Sequence, residues 1–208
     1  MFQVVLFILA AIGIGMVIRR TLILTGVIQS VNPRGGAPFD TGFGKHPAIT
    51  LLHILPGFLF MSLAPVLFIP GIREKKSQFY IICQRLFIII GFIIGLSAII
   101  MPFIMIPIGG INEAAASILF AILFIIFLRK AWVANNRKQM ILYREWMLRS
   151  LAIGVAISTV RPIMVLFFAL TKLPPSVFFG TAFWIGFTIH LIVAEFWINY
   201  TRNPIRDF

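Results

Sequence analysis

The chain has little charge, few acidic residues and almost no cysteine. Of its 208 residues 12% are charged, and six Asp or Glu stand against eighteen Lys or Arg. Soluble domains are about a quarter charged and about 45–50% apolar, whereas 60% of this chain is hydrophobic. Too little polar surface remains to cover a water-soluble core. Cys83 is the single cysteine, so an internal disulfide scaffold is excluded.

Long apolar runs dominate the sequence instead. A bilayer core of about 30 Å is crossed by roughly 20 apolar residues in a helix. The alternating polar and apolar pattern of a membrane β-barrel is missing. We therefore predict an all-α, polytopic transmembrane helix bundle that forms one integral membrane domain over residues 1–208. Six spans are predicted, at residues 2–18, 49–69, 86–107, 111–128, 147–170 and 177–200.

The distribution of Lys and Arg predicts the orientation of these spans. Cytoplasmic loops carry an excess of basic residues. With a cytoplasmic N-terminus, twelve bases lie in the inner segments (70–85, 129–149 and the tail after residue 200) and five in the outer segments. This favours cytoplasmic N- and C-termini. Arg19 and Arg20 contradict this orientation, because they follow the first span on its predicted outer side. Extending that span beyond them would bury both arginines, at a cost of about 2.5–3.5 kcal/mol each. We therefore expect an interfacial segment from Thr21.

Ionisable residues inside spans are costly and are candidates for function. At a rise of about 1.5 Å per residue, His53 and Arg161 lie at similar depth. Each is close to a proline that distorts its helix, Pro56 or Pro162. We predict an outward-facing ligand-binding pocket formed by His46, His53, Glu113 and Arg161. In the alternative interpretation, Arg161 extends outward to pair with Glu113 and His53 bonds a backbone carbonyl.

A second group of charges lies at the predicted inner boundary. Glu195 is placed there by the sixth span, level with Arg85 and Arg149. Because a lone carboxylate among many bases has partners available, we predict a structural ion pair between Glu195 and these arginines.

The remaining features of the sequence carry weaker signals. The Gly- and Pro-rich segment 32–47 predicts a flexible surface loop. Small residues at four-residue spacing allow close helix contact, either within the chain or in a homo- or hetero-oligomer. They are Gly91 with Gly95, Ala152 with Ala156, and Gly154 with Ser158.

Cofactors and partners follow from the same residues. His53 and His190 differ in depth by about 12 Å, which makes them a poor axial pair, so haem b is a weak alternative. No metal is expected, because a closed zinc site needs four ligands and the chain has three histidines and one cysteine. The basic inner face predicts contact with anionic lipids, and no nucleic-acid partner is expected.

One stretch of the chain resembles a bacterial membrane-protein family, the one known as domain of unknown function 2306. The run Tyr143-Arg-Glu-Trp-Met-Leu-Arg-Ser-Leu-Ala152, continued to Arg161, is similar to the family element H-R-x-W-M-x-R-S-x-A. His53 and Glu195 resemble a histidine and a glutamate of the family, and the likeness covers about 46–200. Further candidates for function are Tyr143, Arg144, Trp146 and His190.

Two departures from the family pattern concern histidines. Tyr143 stands where the family has a histidine, and the family's His-Arg pair before the third span is missing from Ser77–Arg85. The resemblance implies a bacterial inner (plasma) membrane, but it supplies no reaction.

The sequence leaves three functions open, and it does not decide whether the protein is an enzyme. The first is binding or movement of a small polar or anionic ligand at His53 and Arg161. The second is a membrane redox protein that uses haem b or quinone. The third is an accessory or structural subunit of a membrane complex.

Overall fold

The computed structural model of the protein describes residues 2–32, 39–69 and 78–202. Within these ranges the regular structure is entirely helical. The helices are α1 (Phe2–Leu24), α2 (Thr41–Lys45), α3 (Pro47–Leu67), α4 (Gln78–Ile104), α5 (Gly110–Asn136), α6 (Met140–Leu170) and α7 (Pro175–Arg202). All except the short α2 are long and apolar enough to cross a membrane. The predicted all-α bundle with six spans is therefore confirmed.

Helix α6 is the centre of the bundle. It contacts α1, α3, α5 and α7, while α4 packs between α3 and α5. Because successive spans run in opposite directions, α1, α4 and α6 end where α3, α5 and α7 begin. We call this the Asp40 end and the opposite one the Glu145 end, after residues described below. That the Glu145 end is cytoplasmic stays a prediction.

Three helices extend well beyond the apolar runs of the sequence at the Glu145 end. Helix α4 begins at Gln78 rather than at residue 86, α5 ends at Asn136 rather than at 128, and α6 begins at Met140 rather than at 147. Hydropathy marks the bilayer core, but Arg, Lys, Gln and Ala favour helix equally well outside it. Helices of 27 residues are about 40 Å long and so exceed the core by about 10 Å.

The predicted end of the first span was wrong. Helix α1 continues through Arg19 and Arg20 to Leu24, so the chain stays helical from Thr21, where we expected a separate segment. The Arg20 side chain is 9% exposed and lies 2.7 Å from a carboxylate oxygen of Asp40. This partner offsets part of the cost of burying the guanidinium.

The predicted flexible surface loop is also corrected in the part that the structure describes. Asp40 is buried and Thr41–Lys45 forms helix α2. Residues 33–38 of that loop lie outside the described residues. We call Phe39–Lys45 the cap segment, because it packs across the Asp40 end of the bundle.

The small-residue faces are used for packing within the chain. A Cβ added at Gly91 would lie 2.6 Å from Leu128 of α5, and one at Gly154 would lie 2.3 Å from Phe60 of α3. Phe60 also stacks on Phe87 at 4.1 Å. Backbones can approach closely at such positions, which replaces the missing hydrophobic drive for helix association in lipid.

The prolines inside spans do not interrupt their helices. Helix α3 runs without a break through Pro56, α4 through Pro102 and α6 through Pro162. The distortion predicted at Pro56 and Pro162 therefore does not break either helix. Neighbouring helices make such prolines tolerable in membrane spans.

The outer surface of the bundle is apolar. Large aliphatic side chains are exposed on each of the six spans, among them Val5, Leu55, Ile89, Ile122, Val165 and Ile192. Soluble monomers rarely expose continuous apolar surface of this extent. Lipid is the solvent that suits it, since hydrocarbon chains are as apolar as these side chains.

Candidate functional site

The cap segment forms the roof of the candidate site. Phe39 packs against Phe168 of α6 and Phe179 of α7, at centroid distances of 6.0 and 5.3 Å. Thr50 at the start of α3 donates to the carbonyls of Phe43 and His46. These contacts hold the segment over the ends of four helices and direct Asp40 toward α1.

Asp40 is the centre of a buried ionic cluster. Its carboxylate accepts hydrogen bonds from Arg19 at 3.3 Å and from the Ser30 hydroxyl at 2.5 Å. Arg20 Nε lies 2.7 Å from the other oxygen as an ion pair, although its alignment falls outside hydrogen-bond geometry. The Arg20 guanidinium also lies 3.5 Å above the Phe43 ring. One carboxylate thus neutralises two arginines only in part.

The charge of Asp40 is stabilised by these partners. Burial opposes its ionisation, but the Ser30 hydrogen bond and the charges of Arg20 and Arg19 outweigh burial and hold the pKa of Asp40 below its usual value. Asp40 is therefore ionised throughout the neutral range.

Arg161 lies on the same side of the bundle without such a partner. Its Nη1 donates to Met164 Sδ at 3.7 Å, and its Nε is buried without a hydrogen-bond partner among the described residues. Asp40 and Glu113 attract it electrostatically. No carboxylate of the described residues lies within 4 Å of it, so the pairing with Glu113 that the alternative interpretation expected is absent from this part of the chain.

The other residues of the predicted pocket each have a local role. Glu113 accepts from the backbone N–H of Gly109 at 2.7 Å, at the start of α5. His46 is the N-cap residue of α3, without a side-chain cap bond. Glu113 therefore attracts Arg161 only through space, and no hydrogen bond of the described residues joins the four predicted residues in one pocket.

His53 hydrogen bonds across to α4. Its Nδ1 lies 2.9 Å from Ser97 Oγ, and Ser97 donates its single hydroxyl proton to the Ile94 carbonyl. With the Ser97 proton directed to Ile94, the matching tautomer of His53 carries its proton on Nδ1 and leaves Nε2 as an acceptor. His53 also experiences the charge of Arg20.

An open cleft of about 430 Å³ lies beside the ionic cluster. Asp40 and Ser30 line it together with residues of the segment that follows α1. Arg161 and His53 do not line this cleft.

The Glu145 end is closed by a second ionic network. Arg149 donates to both oxygens of Glu195, at 2.5 and 2.8 Å. Glu145, which is buried, pairs with Arg202 and lies 3.8 Å from Arg149. Two acids and two bases thus join the start of α6 to the end of α7. Arg85, the third residue predicted for this ion pair, is exposed and makes no salt bridge among the described residues.

The remaining candidates lie near the Glu145 end or further inside the bundle. Tyr143 is buried and interacts with Gln84, whereas Arg144 is exposed. Lys130 and Arg149 lie over the Trp146 ring, at 4.2 and 4.5 Å. His190 Nε2 of α7 lies 2.7 Å from the Thr159 hydroxyl of α6, so this contact joins the two helices.

The geometry gives the haem alternative no support. His53 is six residues into α3 and His190 is fifteen residues into α7, and both helices begin at the Asp40 end. The two rings therefore differ in depth by about 13 Å, which is too far for the axial ligands of one haem. The described residues contain no cluster of three His, Cys, Asp or Glu side chains suited to a metal ion.

Sequence reasoning missed several residues of these networks. Asp40 was overlooked because its partners are distant in sequence, although a lone acid after two arginines was a possible signal. Glu145 precedes Arg149 by four residues, and that spacing alone indicates a helical ion pair. Nothing in the sequence pointed to the contact between Arg202 and Glu145.

Comparison with known proteins places the chain in a family. The model of a family described as predicted membrane proteins (DUF2306) matches residues 50–198. No curated protein and no solved structure matches the chain. The match runs from α3 to α7 and includes His53, Glu113 and Arg161, whereas Arg20 and Asp40 lie before it. Because it covers well over half of the sequence, the chain belongs to the DUF2306 family of predicted membrane proteins.

Proposed function

We propose that the protein binds a small anionic molecule at the Asp40 end, and that Arg161 is the main contact for that anion. The observation that carries this proposal is the buried Nε of Arg161, which has no hydrogen-bond partner among the described residues. A buried guanidinium N–H without an acceptor is costly. A ligand carboxylate or phosphate would satisfy it with two parallel hydrogen bonds.

The balance of charge supports an anion rather than a cation. Three arginines, Arg19, Arg20 and Arg161, interact electrostatically at this end. The two acids that face them are already engaged: Asp40 with Arg19, Arg20 and Ser30, and Glu113 with a backbone N–H. In the described cluster three positive charges therefore face two carboxylates.

Neighbouring polar atoms support a ligand at this position. Four buried side-chain atoms of the described residues lack a hydrogen-bond partner. Arg161 Nε and Ser158 Oγ are the potential donors among them that no ion pair engages, since Arg20 Nε lies 2.7 Å from Asp40. Ser158 precedes Arg161 by three residues and so lies about one helical turn deeper on the same side of α6. Together these donors suit a ligand with several oxygen atoms.

Thermal unfolding of the purified protein in detergent tests this function. The probes are inorganic phosphate, succinate and a short-chain phosphatidic acid, each compared with chloride at equal ionic strength. A ligand at about 100 times its Kd stabilises the folded state by about 2.7 kcal/mol. We expect at least one probe to raise the Tm of the wild type, and Arg161→Gln to abolish that shift. Phosphatidic acid and free phosphate separate a lipid head group from a soluble anion.

Arg144→Gln provides the matched control. Arg144 lies on the same helix, at the opposite end, and is exposed, so its removal changes the net charge equally. This variant should keep the full ligand shift. Equal shifts in wild type and Arg161→Gln for every probe would contradict the proposal.

A further inference from the structure

A second cleft, of about 320 Å³, lies between α4 and α5 in the half of the bundle nearer the Glu145 end. Its walls are Ile88, Ile89 and Phe92 of α4, with Arg129 and Trp132 of α5. Ile89 and Trp132 are 51% and 38% exposed, so the cleft opens to the outer surface of the bundle. It is thus an apolar groove with one cation and one indole.

The pairing of α4 with α5 fixes the depth of these residues. Gln84 donates to Asn135 at 3.3 Å, and Gly91 packs against Leu128. Arg129 is seven residues before the end of α5, or about 10 Å along the helix. Its aliphatic stem therefore lies beside the groove, and its guanidinium can extend toward the boundary between lipid and water. Tryptophan is typical of the same boundary.

The charge beside the groove is not compensated by the described residues. Arg85 precedes Ile89 by four residues and thus lies on the same face of α4. Arg85 and Arg129 are exposed, and neither forms a salt bridge among the described residues. The described carboxylates at this end, Glu145 and Glu195, are occupied by Arg149 and Arg202.

We propose that this groove binds one anionic phospholipid. An acyl chain lies along Ile88, Ile89 and Phe92, and the phosphate is held by Arg129 and Arg85. The Trp132 indole N–H is a donor at the level of the head group. The occupant is a phospholipid rather than a protein helix, because apolar and cationic surfaces follow one another along the groove as chain and head group do in a lipid. This site is independent of Arg161.

Native mass spectrometry of the protein, purified with equal amounts of phosphatidylglycerol and phosphatidylcholine, tests the proposal. A basic side chain near the membrane surface contributes about fivefold in affinity for an anionic lipid. We therefore expect wild type to retain phosphatidylglycerol about 25-fold over phosphatidylcholine, and R85Q/R129Q to lose most of that preference. The conservative R129K variant should keep it, since the charge remains.

The control is R137Q/K138N, which removes two exposed bases at the same end outside the groove. Asn suits position 138, where the backbone φ is 59°. The control should retain the preference. Equal loss in both double variants would mean that diffuse surface charge, and not this groove, causes the lipid preference. An unchanged preference in R85Q/R129Q would also overturn the proposal. R129Q alone gives the same readout if the double variant does not fold.

Discussion

Replacing Asp40 with Asn tests how the Asp40 end is held together. The substitution keeps the shape of the side chain and removes its charge, so Arg20 loses the carboxylate that lies 2.7 Å away. The Asp40 and Arg20 side chains are 2% and 9% exposed, and breaking a buried pair on one side costs about 3–5 kcal/mol. Arg19 is 41% exposed, so its pairing with Asp40 adds little.

We expect D40N to lower the free energy of unfolding by about 3 kcal/mol, the lower end of that range. Arg20 keeps its contact with the Phe43 ring, which limits the loss. For a chain of this size the change corresponds to a fall in Tm of about 6–12 °C. Denaturant titration and thermal unfolding in detergent micelles both measure it.

A double-mutant cycle isolates the ion pair from other effects of the substitution. R20Q/D40N removes both charges, so it should be less destabilised than the sum of the single variants, by about 1–3 kcal/mol. Additive effects would refute the reasoning, because they would mean that Arg20 and Asp40 do not stabilise each other.

The pH dependence has a defined sign. The partners of Asp40 hold its pKa below the usual value, which is about 3.9 in unfolded chains. Its contribution is therefore complete above about pH 4 and is lost as the pH falls through the lower pKa of the folded state. Wild type should keep this contribution from pH 8 to 5 and lose it below pH 4, whereas D40N should lack this acid-dependent component.

Three further predictions concern packing, the second ionic network and orientation. Gly154→Ala should cost about 1–3 kcal/mol, because its Cβ would lie 2.3 Å from Phe60, whereas Gly57→Ala has open space and should not destabilise; equal Tm values would contradict this. Glu145→Gln should cost about 1 kcal/mol, because Arg202, which loses its ionic partner, is 51% exposed; an unchanged Tm would show that the network is dispensable. In a Cys83→Ala background, Gly44→Cys should be labelled by an impermeant reagent from outside and Asn136→Cys from inside; the reverse would overturn the orientation.

Much of the fold could be predicted from the sequence, because apolar runs report the length of the bilayer crossing directly. Those runs located all six spans, yet they missed the ends of α4, α5 and α6 by several residues. A helix does not stop where hydropathy falls, and the polar residues after the core still favour helix. The ends depend on contacts such as Gln84 with Asn135, which are distant in sequence.

The candidate site was less predictable than the fold. Depth along a helix brought His53 and Arg161 to one level, but depth says nothing about the direction of a side chain. His53 turns to Ser97, and Glu113 turns to its own helix start. Asp40 lies in a Gly- and Pro-rich segment that predicts a loop, and its burial follows from Arg20, Ser30 and the cap segment together.

The most direct test of the central claim is experimental density for the wild-type protein in a lipid nanodisc, at a resolution that shows side chains. We predict density for an anionic group within hydrogen-bond distance of the Arg161 guanidinium, and loss of that density in Arg161→Gln. A guanidinium satisfied by a carboxylate or carbonyl of the chain itself, with no added density beside it, would contradict the account.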